Sequence, residues 1–121
     1  MADSSAMRGL RARTAAHAGA GDSSAMRRLR AALTTGNLWL HILSLLRRKR
    51  LYAYALQNEM QRHAGFSQGL IMNYLILYKL ENEGLIASEF EGRRKYYSIT
   101  PKGKAELAKA KKYLRGLSAK L

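Results

Sequence analysis

The clearest chemistry in this sequence belongs to the cations of one short segment, Gly92-Arg93-Arg94-Lys95. A glycine and three cations between two apolar, alternating runs predict a β-hairpin with a positively charged turn. Guanidinium and ammonium groups on such a turn bind phosphate oxygens and minor-groove edges of DNA. The competing explanation is that Arg93 and Arg94 pair with Glu89 and Glu91 across the hairpin. Both can hold, because weak surface pairs exchange readily for phosphate.

The whole chain is strongly basic. Its 121 residues include 22 lysines and arginines against 8 aspartates and glutamates, which gives a formal net charge of +14. Half of this excess lies in residues 85–121, where ten cationic side chains accompany three acidic ones. Such an imbalance stores self-repulsion that a polyanion relieves, so it indicates binding to nucleic acid. Solvated lysines on helix surfaces would explain single charges but not the total.

The residue types needed for catalysis are scattered. His17, His41 and His63 lie far apart in the chain and form no metal-binding motif, and no glycine-rich phosphate loop follows a strand. The absence of cysteine excludes disulfides and thiolate ligands and fits a cytoplasmic protein. The longest apolar run, Leu38–Leu46, is far shorter than the roughly 20 residues that span a bilayer. We therefore expect no enzyme activity, no metal site, no cofactor and no membrane segment.

The first 37 residues are rich in Ala, Gly, Ser and Arg and have few large apolar side chains. Residues 3–12, DSSAMRGLRA, recur as residues 22–31, DSSAMRRLRA, with one difference. Each copy is compatible with a short helix that has Asp or Ser as N-cap and Arg in its last turn. We predict a basic N-terminal extension over residues 1–37, flexible or in short helices. It is either an arm along phosphates or a tail without a role.

Residues 38–121 predict one domain, mainly α with a small β-hairpin. The apolar face of Leu38–Leu46 predicts a largely buried first helix, and residues 51–63 predict a second that ends near Gly65. Ser67 is the expected N-cap of a third helix over about residues 68–83. The second and third helices then form a helix-turn-helix, in which the third enters the major groove of DNA.

The third helix is unusually apolar, so its outward residues decide what it can read. With Ile76, Leu77 and Leu80 assigned to the core, the outward set includes an asparagine for adenine, tyrosines for phosphate and a methionine for thymine methyls. The alternative for the two tyrosines is half-buried packing. No arginine precedes the helix end to read guanine, so we expect modest or shape-dependent specificity. The predicted DNA-binding residues are Gln68, Met72, Asn73, Tyr74, Tyr78, Lys79, Arg93, Arg94 and Lys95.

The C-terminal part predicts a wing and a last helix. Gly84 is expected to end the third helix in the left-handed conformation, with strands over residues 85–90 and 95–99. Thr100 and Pro101 are a strong signal for a helix start. Apolar residues then recur at steps of 3, 4, 3 and 4, as in a heptad seam: Leu107, Ala110, Leu114, Leu117 and Leu121. This stripe packs either on its own domain or on a partner, and we favour a homodimer.

These segments together resemble the PadR family of winged-helix transcriptional regulators, over about residues 38–121. The similar segments are LYAYAL at residues 51–56, MNYLILYKLE at 72–81, GLI at 84–86, GRRKYY at 92–97 and ITPKG at 99–103. The family typically has Leu-Tyr-Gly-Tyr-Glu where this chain has LYAYA, and Gly-Thr-Leu-Tyr-Pro where it has Ile71-Met72-Asn73-Tyr74-Leu75. The resemblance therefore implies a family DNA contact at Tyr74. The wing is closer to the family pattern, although families such as MarR share its form.

The resemblance implies a dimeric, repressor-like regulator that binds double-stranded DNA, and in some members a small-molecule effector, which the residues here do not indicate. The predicted fold is thus a winged helix-turn-helix with an extra C-terminal dimerisation helix. An alternative from another class is a structural RNA-binding winged helix in a ribonucleoprotein, because its basic surface would look similar. A winged helix that binds another protein through its apolar third helix is a further alternative, less consistent with the wing cations.

Overall fold

The computed structural model describes residues 21–121. In chain order its elements are α1 (Ser24–Leu33), a 3-10 turn (Thr35–Asn37), α2 (Leu38–Arg48), β1 (Leu51–Tyr52), α3 (Ala53–Ala64), α4 (Leu70–Asn82), β2 (Ile86–Glu91), β3 (Arg94–Ile99) and α5 (Pro101–Lys120). The prediction of a mainly α chain with a β-hairpin is confirmed. Within the described residues, no helix has the length and apolar character needed to span a bilayer.

Helix α1 is formed by the second copy of the repeat. The hydroxyl of Ser23 accepts a hydrogen bond from the amide of Met26 at 3.0 Å, which caps the helix. Arg30 in the last turn pairs with Asp22 at 2.6 Å. The first copy of the repeat, with the rest of residues 1–20, lies outside the described residues.

Helix α2 is the centre of the core. It contacts α3, α4, α5 and β3 and buries one broad apolar face, as its periodicity predicted. Burial of this kind is the main favourable contribution to folding. The buried apolar residues are Leu38, Ile42, Leu43, Leu45, Leu46, Leu51, Ala53, Leu56, Met60, Phe66, Leu77, Leu80, Leu85, Ile86, Tyr97 and Leu107.

The sheet has a third strand that the sequence did not predict. Its order is β1-β3-β2, all antiparallel, and Leu51 pairs with Tyr97 while Tyr52 pairs with Tyr96. Leu51 and Tyr52 were expected in the second helix, and that prediction was wrong. By periodicity alone, the sequence from Leu51 onward fits a helix. Leu51 and Tyr52 instead form hydrogen bonds with the free edge of β3, which the local sequence pattern does not reveal.

The turn before α4 also differs from the prediction. Helix α3 ends at Gly65, whose φ of 76° is left-handed as expected, but α4 begins at Leu70 with Gly69 at its N-cap. Ser67 is therefore not the cap. The Gln57 side chain donates a hydrogen bond to the Gln68 carbonyl at 3.0 Å, which holds this segment in a non-helical path.

The end of α4 forms a Schellman motif. Gly84 has a φ of 77°, and its amide donates to the carbonyl of Glu81 at 3.0 Å. The amide of Leu85 donates to the carbonyl of Leu80 at 2.9 Å. The left-handed cap predicted at Gly84 is confirmed, and it directs the chain into the wing.

The start of α5 is fastened to this cap. The hydroxyl of Thr100 donates to the Gly84 carbonyl at 2.6 Å and accepts from the Gly103 amide at 3.0 Å, so Thr100 is the N-cap as predicted. Gly103 is buried, and a Cβ placed on it would lie 2.0 Å from the carbonyl oxygen of Leu85. Only glycine permits this contact. The two motifs together fix the wing between α4 and α5.

Candidate nucleic-acid interface

The tip of the wing is a two-residue turn, Gly92-Arg93, between β2 and β3. Gly92 has a φ of 64° at the first central position, as a type II′ turn requires. Arg93 follows at the exposed apex, and among the described residues it forms no ion pair. The predicted exposed cation at the turn is therefore present, and Arg93 is available to a ligand without first leaving an ion pair.

The neighbouring cations are engaged within the protein. The Arg94 guanidinium lies over the ring of Tyr52, 4.3 Å from its centroid. Lys95 lies 3.8 Å from a carboxylate oxygen of Glu81 on α4. Both side chains are exposed enough to turn toward a phosphate, since surface pairs of this kind are weak.

The carboxylates of the hairpin pair with a residue that the sequence did not single out individually. Arg50 forms an ion pair with Glu91, lies 3.8 Å from Glu89 and stacks over the ring of Tyr96 at 4.3 Å. The hydrogen bond with Glu91 raises the pKa of Arg50 above its ordinary value. Among residues 21–121, Glu89 and Glu91 pair with Arg50, and no ion pair joins them to Arg93 or Arg94.

A polar cluster joins α4 to the sheet. The hydroxyl of Ser88 donates to Glu81 at 2.5 Å, on the carboxylate that Lys95 also approaches. Burial raises the pKa of the nearby Tyr97, and the charge of Glu81 adds to this shift. Tyr97 therefore stays neutral at physiological pH. The cluster fixes how the wing sits against α4.

A hollow of about 300 Å³ lies between the start of α3, the first turns of α4 and the wing. Tyrosines and the three wing cations surround it, so it combines hydroxyl donors with positive charge. Such groups suit a phosphate oxygen rather than a neutral ligand. Its lining includes Tyr52, Tyr54, Tyr74, Arg93, Arg94 and Lys95. The structure thereby brings together Tyr74 and the three predicted wing residues.

Most of the predicted residues on α4 are exposed. Met72, Tyr74, Tyr78 and Lys79 face outward, and Gln68 before the helix is half-buried. Tyr78 is 68% exposed and so lacks the half-buried packing that was its alternative, whereas Tyr74 is 50% exposed and fits that alternative as well as an outward position.

Asn73 is the exception, and its predicted outward position was wrong. It is fully buried, and neither its amide nitrogen nor its amide oxygen has a hydrogen-bond partner in the described part of the chain. Residues 73, 77 and 80 lie one helical turn apart, so the face that buries Leu77 and Leu80 also buries Asn73. The asparagine cannot bond a base edge in this arrangement.

The same rotation exposes two residues that sequence reasoning missed. Ile71 is 79% and Leu75 54% exposed, and with Tyr78 they form one outward row at spacings of four and three. We call these three residues the outer row. Extending the helical wheel backward from Leu77 and Leu80 would have identified it, but an apolar residue in an apolar helix gave no reason to look outward.

The predicted dimer seam on α5 divides into two parts. Leu107 is buried against its own domain, so its assignment to a dimer surface was wrong. Gly103 and Leu107 are buried where α5 packs on α2. Leu107 is therefore not exposed to a partner. Further along, Ala110 and Leu114 are half-buried, and Leu117 and Leu121 are exposed.

An apolar groove of about 430 Å³ runs beside this second part, between α5 and the start of α2. Its lining includes Leu33, Trp39, Leu40, Ala110, Tyr113 and Leu114. A surface of this composition is typical of a protein contact. In residues 21–121, no group of histidines and carboxylates is placed to hold a metal ion.

Comparison with known proteins gives consistent results. A family model described as the transcriptional regulator PadR-like family matches residues 42–109. The chain is similar to the crystal structure of a PadR family transcriptional regulator from Eggerthella lenta, at 30% identity and a TM-score of 0.68, covering 78% of this chain and 87% of that one. It is also similar to a PadR family transcription regulator from Clostridium difficile, at 28% identity and a TM-score of 0.64, covering 69% and 93% respectively. A comparison with curated proteins found no match.

Proposed function

Since this chain belongs to the PadR-like family of transcriptional regulators, and is thus a DNA-binding transcription regulator rather than an enzyme, we propose how it binds. It binds double-stranded DNA in a sequence-directed, repressor-like manner, as a homodimer. Helix α4 enters the major groove, and the wing contacts the adjacent minor groove or phosphates. Residues 38–121 form the DNA-binding domain, and residues 1–37 are its basic extension.

The hollow between α4 and the wing is the observation that supports this arrangement. It places Tyr74 of α4 beside Arg93 of the wing. Neighbouring phosphates of one DNA strand would therefore contact both the helix and the wing. Phosphate contacts of this kind set the register of a protein on a duplex. Arg93 is available for such a contact because, in the described residues, Glu89 and Glu91 pair with Arg50 and not with Arg93.

The groove beside α5 supports the homodimer. The exposed side chains of Tyr113 and Leu117 continue the apolar surface of the groove beyond the domain's own core. A second copy related by a twofold axis would cover both grooves with the same residues. Two recognition helices would then address two half-sites of one operator, spaced by about 34–36 Å or a multiple.

The test is a binding experiment by fluorescence anisotropy across a salt series. A duplex pool with a random core is compared with a folded RNA of equal length, and the mass of the protein is determined by light scattering. We expect a dimer that prefers duplex DNA, with a log-log salt slope of about −0.9 for each phosphate neutralised. A monomer that prefers the folded RNA would overturn the proposal and favour the ribonucleoprotein alternative.

A further inference from the structure

The outer row, Ile71, Leu75 and Tyr78, occupies the place where a recognition helix meets base edges. We propose that the outer row reads the 5-methyl groups of thymine, so that the operator half-site is a thymine-rich major-groove segment. This inference rests on the proposed function and names the kind of DNA that α4 selects.

The part of α4 that carries the outer row, residues 71–78, exposes no amide or guanidinium group that could bond a base. Asn73, the residue that would bond adenine, is buried, and no arginine lies on the helix to bond guanine. Lys79 is the one cation of α4, and it lies beside the outer row rather than within it. Apolar contact with a thymine methyl is the form of direct major-groove readout that uses apolar side chains.

Large apolar side chains are exposed on this face of α4, next to Tyr74. Isoleucine and leucine are residue types that are usually buried. The exposure of Ile71 and Leu75 to water is therefore unfavourable unless a ligand covers them. Tyr74, on the same helix, lines the hollow that Arg93 and Lys95 surround. An apolar row bordered by phosphate-binding groups complements the floor of a major groove bordered by phosphates.

The outer row has the length of a short stretch of bases. Residues 71 and 78 are seven positions apart, which corresponds to about 10 Å along a helix. Consecutive bases on one strand are about 3.4 Å apart. The outer row therefore covers about three consecutive base pairs, which is the scale of a half-site core.

The test begins with selection of a binding sequence from the random-core duplex pool. The selected duplex is then compared with the same duplex in which deoxyuridine replaces every thymidine of the half-site. Deoxyuridine keeps the hydrogen-bonding groups of thymidine and lacks only the methyl. We expect a thymine-rich selected core and a loss of affinity of about fourfold for each methyl that the outer row covers.

Two variants separate methyl contact from other effects of deoxyuridine on the duplex. The double variant Ile71→Ala with Leu75→Ala should lower the thymidine-to-deoxyuridine affinity ratio to what the remaining Tyr78 contact supports, while the salt slope is unchanged. The matched control is Lys79→Gln on the same helix, which should weaken binding to both duplexes equally and preserve the ratio. A circular-dichroism spectrum shows that each variant is folded.

The experiment distinguishes failure of the methyl inference from failure of the proposed function. If the protein selects one duplex tightly but binds its deoxyuridine form equally well, or if the double variant retains the full ratio, the methyl inference is wrong and the regulator function stands. If no duplex is preferred over folded RNA, the proposed function itself fails. A selected core without thymine in the half-site would likewise overturn the inference.

Discussion

Arg50, in the connection between α2 and β1, forms an ion pair with Glu91 at the far end of β2, 41 residues along the chain. The same guanidinium stacks on Tyr96 of β3. One side chain thus connects the helical core to both strands of the wing. The pair also neutralises a carboxylate that would otherwise stand beside the phosphates of a bound duplex.

Replacement of Arg50 should weaken DNA binding through its acidic partners. In Arg50→Gln, the carboxylates of Glu89 and Glu91 lose their counter-charge and repel phosphate. We expect lower affinity for duplex DNA, and recovery of part of the loss when Glu91→Gln is added. Anisotropy titrations of both variants at one salt concentration measure this. No recovery in the double variant would mean that Arg50 contacts the duplex itself.

Arg93 should contribute a phosphate contact of its own. Because it has no ion pair in the described part of the chain, Arg93→Gln removes a contact with DNA and no ion pair within the fold. We expect the salt slope to become shallower by about 0.9 with unchanged thermal stability. Lys112→Gln, an equal change of charge on α5, is the control and should alter the slope less. Equal changes of the salt slope in the two variants would mean that Arg93 contributes only through the net charge of the protein.

The parts of the fold that local chemistry determines were predictable from the sequence. Gly84 and Gly65 end their helices, Thr100 caps α5, and the glycine-first turn of the wing follows from residue type. Each signal lies within a few residues of the structure it produces. The wing and the helix-turn-helix could therefore be placed within a few positions.

The parts that depend on tertiary contacts were not predictable in the same way. Strand β1 exists because β3 has a free edge, and Arg50 pairs with residues far along the chain. The inward position of Asn73 is a matter of helix rotation, which an almost uniformly apolar helix does not specify. Asparagine is usually exposed, but here the packing of Leu77 and Leu80 turns the helix so that Asn73 is buried.

Substitution of Gly103 should destabilise the domain strongly. The added methyl of Gly103→Ala would overlap the carbonyl of Leu85 and force α5 away from the wing. Overpacking of this kind costs about 1–3 kcal/mol, more than the helix propensity that alanine gains. Urea denaturation measures the difference.

Gly116 in the same helix provides the control for that measurement. A Cβ there meets nothing within 4 Å, so Gly116→Ala should stabilise the protein by about 0.5–1 kcal/mol. The two glycine substitutions are thus expected to have opposite signs. A stabilising Gly103→Ala would show that α5 does not pack on Leu85 in solution.

Leu117 should be needed for the homodimer. Leu117→Lys places a charge on the exposed part of the seam, and we expect light scattering to shift from dimer toward monomer. Affinity for a two-half-site duplex should fall with it, because each domain then binds alone. Ala119→Lys adds the same charge to an exposed residue on the opposite side of α5 and should leave the dimer intact. A dimer that survives Leu117→Lys would remove this part of α5 from the interface.

Asn73 should be replaceable by leucine with a gain in stability. Its amide is fully buried without a hydrogen-bond partner among residues 21–121, and such a group costs about 1–3 kcal/mol. Asn73→Leu keeps the branching and the number of heavy atoms, so urea denaturation should show a stabilisation that is smaller than this cost by the strain of packing two larger methyl groups. Asn58→Leu, at an exposed position of α3, is the control, and its free energy of unfolding should change by less than about 0.5 kcal/mol.

The same variant tests the orientation of α4 through DNA binding. An inward Asn73 makes no base contact, so Asn73→Leu should leave the affinity for the selected duplex unchanged. If Asn73 instead faced the major groove, the variant would lose about 1–3 kcal/mol of discrimination at an adenine. A stabilised protein with unchanged affinity supports the inward position, because the two measurements respond to opposite faces of the helix. A large loss of affinity without a gain in stability would place Asn73 at the DNA and the outer row elsewhere.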